Sequence, residues 1–239
     1  MEKKLIRVFV FMQVCSFETE IKAIVIGNGK IGKTSLMTRF ADGSFSEEYR
    51  KTIGVDFLEK RVFVAAIHEE VTFYLYDTAG QEEYDSMTRS FYQGAGVAII
   101  GFSSVDRESF RAVPKWIRTV REECGQIPIL LVQTKTDLLH STDAISTQEA
   151  DSISVETGLR LFRVCAKDNV NVDQVFEQLC FDYVKRRRLL GGQLERPVRT
   201  LHSLVNEKEN KVRIEKNDDC KGDDSAKKNI NIFSNCVVS

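Results

Sequence analysis

The stretch Gly27-Asn28-Gly29-Lys30-Ile31-Gly32-Lys33-Thr34 constrains this chain more than any other. It follows directly on the apolar run IKAIVI and precedes an amphipathic segment, so a strand must end, turn sharply and open a helix within a few residues. The glycines let the backbone curl until successive N–H groups point inward, and the helix start adds the positive end of its dipole. Such a cradle suits a phosphate chain. Gly27, Asn28, Gly29, Lys30, Ile31 and Gly32 would contribute through the backbone, with the Lys30 side chain itself in solvent. Lys33 would neutralise the β and γ phosphates, Thr34 would offer a hydroxyl to Mg²⁺, and Ser35 completes the set in the first helical turn.

The rest of the chain frames that motif. From Ile21 onward, apolar strands near 21–26, 55–66, 71–77, 97–102, 128–132 and 161–164 alternate with amphipathic helices near 33–41, 85–92, 107–122, 147–156 and 170–187. This alternation predicts an α/β fold: a six-stranded, mostly parallel sheet with helices on both faces. VDFLEKRVFVAAIHEEVTFYLYD reads as two strands joined by a tight turn at His68–Glu70, which makes one strand antiparallel. Beyond KRRR (185–188) the periodicity fades into a polar, charge-mixed stretch. Three parts are therefore expected: an extension over 1–20, one nucleotide-binding domain over 21–187 and a flexible tail over 188–239.

Composition excludes more than it assigns. With 239 residues and a formal net charge of -1, the chain shows no bulk charge that would call for nucleic acid. Its six cysteines form no CxxC pair and stand near no histidine cluster, which argues against a zinc site or a disulfide framework and for a reducing compartment. No run approaches the roughly 20 apolar residues of a spanning helix. The run from Leu5 to Cys15 is interrupted by Arg7 and is followed by Glu18 and Glu20 without a small-x-small pattern, so a secretion leader is not expected. It is either a loosely attached extension or the product of a start placed too early, with Met12 as the true start.

A phosphate cradle alone is shared by kinases, ATPases and GTPases, and the division lies downstream. Asp77-Thr78-Ala79-Gly80-Gln81 closes the third strand, where Asp77 could hold Mg²⁺ through water and Gly80 could turn its amide to a γ phosphate. Gln81 would orient the attacking water. Thr52, in a polar loop, could reach Mg²⁺ only while the terminal phosphate is present. QTKTDLL (133–139) ends a buried strand in polar groups with a carboxylate at Asp137, which raises the question of a ligand held there.

The motifs GNGKIGKT, TIGVDFLEK, DTAGQEEYD and FYQGA resemble those of the Rab small GTPases over about residues 21–187. The resemblance implies the P-loop NTPase fold of small GTPases and a molecular switch that binds GTP/GDP with Mg²⁺, regulates vesicle traffic and hydrolyses GTP slowly until an activating protein helps. It implies catalytic roles for Gln81 and Lys33 and metal ligation by Thr34, Thr52 and Asp77. The base would be held by Phe45, Thr134, Lys135, Asp137, Cys165, Ala166 and Lys167. Thr134 stands where the family has asparagine, Cys165 where it has serine. Cys165 is expected to be a small buried residue and not a redox switch.

Phe57, Tyr76 and Phe91 match three aromatics that Rab proteins show to effectors, with tyrosine in place of the usual tryptophan. Cys236-Val237-Val238-Ser239 fits a prenylation motif that favours farnesyl on Cys236. Implied partners are an exchange factor, a GTPase-activating protein, a GDP-dissociation inhibitor or escort protein, effectors and a membrane, with the chain itself a monomer that does not bind nucleic acid. The implied place is the cytoplasmic face of endomembranes or the plasma membrane, with a cytosolic pool and a hint of ciliary association. Two other classes remain open: a scaffold with a switch fold, locked with GTP or deficient in nucleotide, and a P-loop kinase or ATPase.

Overall fold

β1 (Thr19–Ile26) is buried along almost its whole length because both of its faces are covered. Its side chains alternate, as a strand requires: Ile21, Ala23 and Val25 enter one apolar cluster, Ile24 and Ile26 the other. The computed structural model describes residues 19–48, 52, 55–65, 67–78, 91–141 and 144–191. After β1 come α1 (Lys33–Asp42), β2 (Val55–Val64), β3 (Glu69–Thr78), β4 (Val97–Ser103), α2 (Arg107–Arg111) and α3 (Val113–Cys124). Then follow β5 (Ile129–Thr134), a single 3₁₀ turn at Thr136–Leu138, α4 (Thr147–Thr157), β6 (Leu161–Arg163) and α5 (Val172–Leu189).

The six strands form one sheet in the order β2-β3-β1-β4-β5-β6. All neighbours are parallel except β2 and β3, which pair antiparallel from Val55↔Thr78 to Val64↔Glu69. This is the architecture expected from the alternation of strands and helices. One face carries α1 and α5, where Phe40 stacks on Phe176 with ring centroids 3.7 Å apart and Phe73 meets Phe176 edge-on. The other face carries α3 and α4. Parallel strands place their C-terminal ends on one edge, and the segments that follow β1, β5 and β6 gather there, with the last residues of β3.

Boundaries differ from the expectation for identifiable reasons. β1 starts at Thr19, inside the segment assigned to an extension, because Thr19 pairs with Val71 and donates its hydroxyl to Glu69. The β2–β3 connection lies between Val64 and Glu69, not at 68–70; His68 takes a left-handed φ of 52° that lets Glu69 already pair. The single helix expected over 107–122 is two helices. Pro114 lacks an N–H and fits only a first helical turn, so α2 ends at Ala112 and α3 begins there afresh. Of the helix expected at 85–92, only residues 91 and 92 are among those described, and both are helical. Residues 1–18 and 192–239, with Cys220 and the prenylation motif at Cys236, lie outside the described residues.

Candidate nucleotide-binding site

The turn after β1 is set by contact with β4. A Cβ on Gly27 would stand 2.4 Å from the Gly101 carbonyl oxygen, and Gly32, with φ 95°, caps α1 in a conformation that side chains rarely adopt. The Ile31 side chain is fully buried and pins the loop to the sheet. Lys33 is 7% exposed, and its ammonium donates to the carbonyls of Gly27 at 3.0 Å and Asn28 at 2.8 Å, folded back over the turn that it follows. Burial lowers its pKa to about 8, with Asp77 opposing the shift. Lys30 is exposed, as expected of its side chain. Asn28 accepts a 2.9 Å hydrogen bond from the indole Nε1 of Trp116, which ties the loop to α3.

Thr34, Thr52 and Asp77 come from a helix start, a loop and a strand end, yet they meet. The Thr34 hydroxyl donates to Asp77 Oδ2, Thr52 does so at 3.2 Å, and the two hydroxyl oxygens are 3.1 Å apart. Three oxygen donors of this kind, two neutral and one anionic, suit a hard cation that keeps part of its water shell. The arrangement fits Mg²⁺. Among the described residues no cluster of histidine, cysteine and carboxylates offers a softer metal a place.

The base side begins at the end of β5. Gln133 and Thr134 are buried, and Asp137, in the 3₁₀ turn, is exposed. Lys135, at a left-handed φ of 55°, sends its ammonium to the Lys30 carbonyl at 2.8 Å, so its stem lies across the phosphate loop. The Thr134 hydroxyl donates to the Ile31 carbonyl at 2.5 Å, with the Phe102 carbonyl as an alternative acceptor at 3.1 Å. That bond binds the base segment to the phosphate loop. Cys165 is buried, and its thiol reaches Asp137 Oδ1 at 3.4 Å and Asp168 Oδ2 at 3.1 Å. Burial raises its pKa, which keeps the thiol protonated and able to donate. Cys165 is thus the small buried residue expected, and its one proton lies between two carboxylates, with Asp168 the nearer acceptor.

The Ras family model matches residues 22–185. The chain belongs to the Ras family. Within it, the relatives are Rab proteins: Rab-3C of Bos taurus is 36% identical over 167 residues, 69% of this chain and 71% of its own length. Rab-12 of Mus musculus is 36% identical over 173 residues, 71% and 70% of the two chains. The GTP-binding protein ypt3 of Schizosaccharomyces pombe is 35% identical over 175 residues, 72% and 80%. The chain is therefore a small GTPase of the Rab type.

One residue of this Rab protein's site was missed by sequence reasoning. Arg39, on the last turn of α1, donates from Nε to the Ala166 carbonyl at 2.6 Å and from Nη2 to that of Lys167 at 2.9 Å. Its Nη1 reaches the Gly43 carbonyl at 2.5 Å. Its guanidinium also lies 5.8 Å from the centre of the Phe45 ring. A planar fork can serve three carbonyls and a ring at once, as an ammonium cannot. Nearby, Lys167 and Glu47 form an exposed 2.7 Å ion pair. In sequence, Arg39 reads only as a polar position on an amphipathic helix; its partners lie 127 and 128 residues away. Arg39→Ala should speed GDP release about tenfold, and Arg39→Lys should recover little of it, as measured by release of a fluorescent GDP analogue.

Around the switches the Rab protein shows a partly open aromatic surface. Phe57 is 37% exposed and meets the half-buried Tyr76 edge-on at 5.3 Å; Phe91 is half-buried. Lys22, almost fully buried, sits 4.4 Å above the Tyr76 ring and donates to the Gln93 carbonyl at 2.7 Å, linking β1 to the chain just past Phe91. Gly80 and Gln81 lie outside the described residues.

Proposed function

We propose that the protein is a guanine-nucleotide switch of membrane traffic, with slow Mg²⁺-dependent GTP hydrolysis over the G domain and a prenylated tail. The observation that carries this reading is the meeting of Thr34, Thr52 and Asp77 on one face of the phosphate loop. Thr52 brings its hydroxyl to the other two from a separate part of the chain, 18 residues from Thr34 and 25 from Asp77. A triphosphate that favours this position would order the loop, and loss of the γ phosphate would release it. Bound Mg²⁺ would neutralise charge on the phosphates. Lys33 would exchange its carbonyl partners for phosphate oxygens, Gly80 would approach the γ phosphate and Gln81 would orient the water. A GTPase-activating partner would supply an arginine finger to the transition-state charge.

Thr134 is compatible with this function. An asparagine amide has two N–H donors and can serve both the phosphate loop and the base, whereas one hydroxyl proton can serve one acceptor. In this protein that proton is held by a backbone carbonyl. Thr134→Asn should therefore slow GDP release several-fold, equivalent to about 1 kcal/mol from one recovered hydrogen bond.

Within the Rab family the stretches TIGVDFLEK, FSSVDRESF, ILLVQTKTDLL and NIFSNCVVS most resemble the Rab numbered twenty-three, and the ciliary hint rests on that resemblance alone. Exchange factor, activating protein, GDP-dissociation inhibitor or escort protein and effectors follow from the family, with Phe57, Tyr76 and Phe91 as the effector surface and farnesyl on Cys236 as the anchor. The deciding experiment is to purify the protein in Mg²⁺, denature it and identify the released nucleotide by chromatography. Near-stoichiometric GDP or GTP is expected. An empty protein that also fails to load added GTP would favour a nucleotide-deficient scaffold.

A further inference from the structure

A second concavity lies at the other end of β5 from the base segment. β5 runs from Ile129 to Thr134, about 16 Å at the rise of a strand, and a groove of about 650 Å³ opens at its first residues. Four elements wall it: Arg121 comes from the last turn of α3, Val155 from the last turn of α4, Arg160 from the residue before β6 and Asp182 from α5. The Ser154 hydroxyl donates to the Leu159 carbonyl at 2.6 Å and holds the turn that brings Leu159 into the lining. The volume falls within the range of small-molecule sites, about 300 to 1,000 Å³.

Two kinds of group share this lining. Ile127 and Ile129 are buried and Leu159 half-buried, while Val155 is 83% exposed, a large apolar group left uncovered beside them. The charged groups are Arg121, Arg160 and Asp182. Arg121 spends Nη1 on the Ile127 carbonyl at 2.7 Å and the Gly125 carbonyl at 3.5 Å, which leaves Nε and Nη2 without a hydrogen bond among the described residues. Arg160 is exposed, and its guanidinium has no hydrogen bond or ion pair among them. Asp182 accepts a 2.9 Å hydrogen bond from Gln178. One turn further along α5 stands Arg186, whose Nη1 is buried with no hydrogen bond among the described residues. Burial lowers the Arg121 pKa, and the Arg186 charge lowers it further. Three guanidiniums against one carboxylate leave positive charge unanswered beside an apolar surface.

We propose that this groove is a second ligand site, for an amphipathic carboxylate: a small molecule whose acid group meets Arg121 and Arg160 and whose short aryl or alkyl body covers Ile129, Val155 and Leu159. Guanidinium donors match the two oxygens of a carboxylate, and the unused donors of Arg121 and Arg160 are of that kind. An inorganic anion would leave Val155 and Leu159 as uncovered as before, and a neutral ligand would leave the guanidiniums to repel one another. The site goes beyond the switch reading and does not rest on it.

The test titrates phenylbutyrate into the isotope-labelled, full-length protein as purified and follows backbone amide shifts by NMR. Saturable shifts at Ile129, Val155 and Leu159 are expected, with a Kd on the order of 1 mM for a ligand of this size. Phenylbutanol, which lacks the charge, and acetate, which lacks the apolar body, should each bind at least about tenfold more weakly. Arg160→Gln should weaken phenylbutyrate about fivefold and leave GDP release unchanged, and Val155→Asp should weaken it further. Arg121 also closes the α3–β5 connection through Ile127, so the exposed Arg160 is the cleaner variant. Shifts that do not saturate, equal binding of phenylbutanol, or unchanged affinity in Arg160→Gln would each overturn the proposal.

Discussion

Replacing Asp137 by asparagine should move the preference of the protein from guanine towards xanthine nucleotides, by a factor on the order of 10³. Guanine presents two donors, N1–H and N2–H₂, to a group that must offer two acceptors, as the exposed carboxylate of Asp137 does. Asparagine offers one acceptor and one donor. The Cys165 thiol, 3.4 Å from Oδ1 and 3.1 Å from Asp168 Oδ2, has one proton to give; when it donates to position 137 it favours the amide oxygen on its own side and leaves the nitrogen towards the base. That nitrogen opposes the N2 amino group of guanine but matches the O2 carbonyl of xanthine. Competition between GTP and XTP for the nucleotide-free variant reads the switch directly. Unchanged guanine selectivity would remove Asp137 from the base pocket.

Lys33→Met should lower nucleotide affinity by about 10³ while making the nucleotide-free protein more stable. The two effects share one cause. Lys33 holds an ammonium in a site that is 7% exposed, where its partners are neutral carbonyls, and burial has brought its pKa down to about 8. Phosphate oxygens are far better partners, and losing two charge-assisted hydrogen bonds to them costs about 3–5 kcal/mol. Without nucleotide the same charge is a liability, and a methionine of similar length should relieve about 1 kcal/mol or more.

The pH dependence follows with a definite sign. The folded protein holds fewer protons on Lys33 than the unfolded chain between about pH 8 and the ordinary lysine value of 10.5, so this residue makes nucleotide-free stability rise across that window. Binding needs the ammonium. Affinity for GDP should therefore fall by about tenfold per pH unit above pH 8, with proton uptake visible in calorimetry as a dependence on buffer ionisation heat. The methionine variant should show neither slope. A parent protein whose affinity is flat from pH 7 to about 9 would mean that Lys33 does not meet the phosphates.

These expectations draw on different levels of the molecule. The phosphate loop and the order of strands and helices were legible in the sequence, because each is a local pattern: glycines at fixed spacing and a period of two or near four. Pro114 was passed over: the helical period reads through it as one helix over 107–122, although its missing N–H splits α2 from α3. Tertiary structure alone decided which groups meet. Arg39 holds carbonyls 127 and 128 residues further along the chain, Trp116 ties down Asn28, and Thr134 gives its proton to Ile31. No periodicity encodes such pairs, because a hydrogen bond is satisfied by whichever acceptor the packed backbone brings within about 3 Å. Cys165 shows the division most clearly. Its smallness follows from its residue type, but its contacts with Asp137 and Asp168 exist only because β5 and β6 lie side by side and set their following loops within reach.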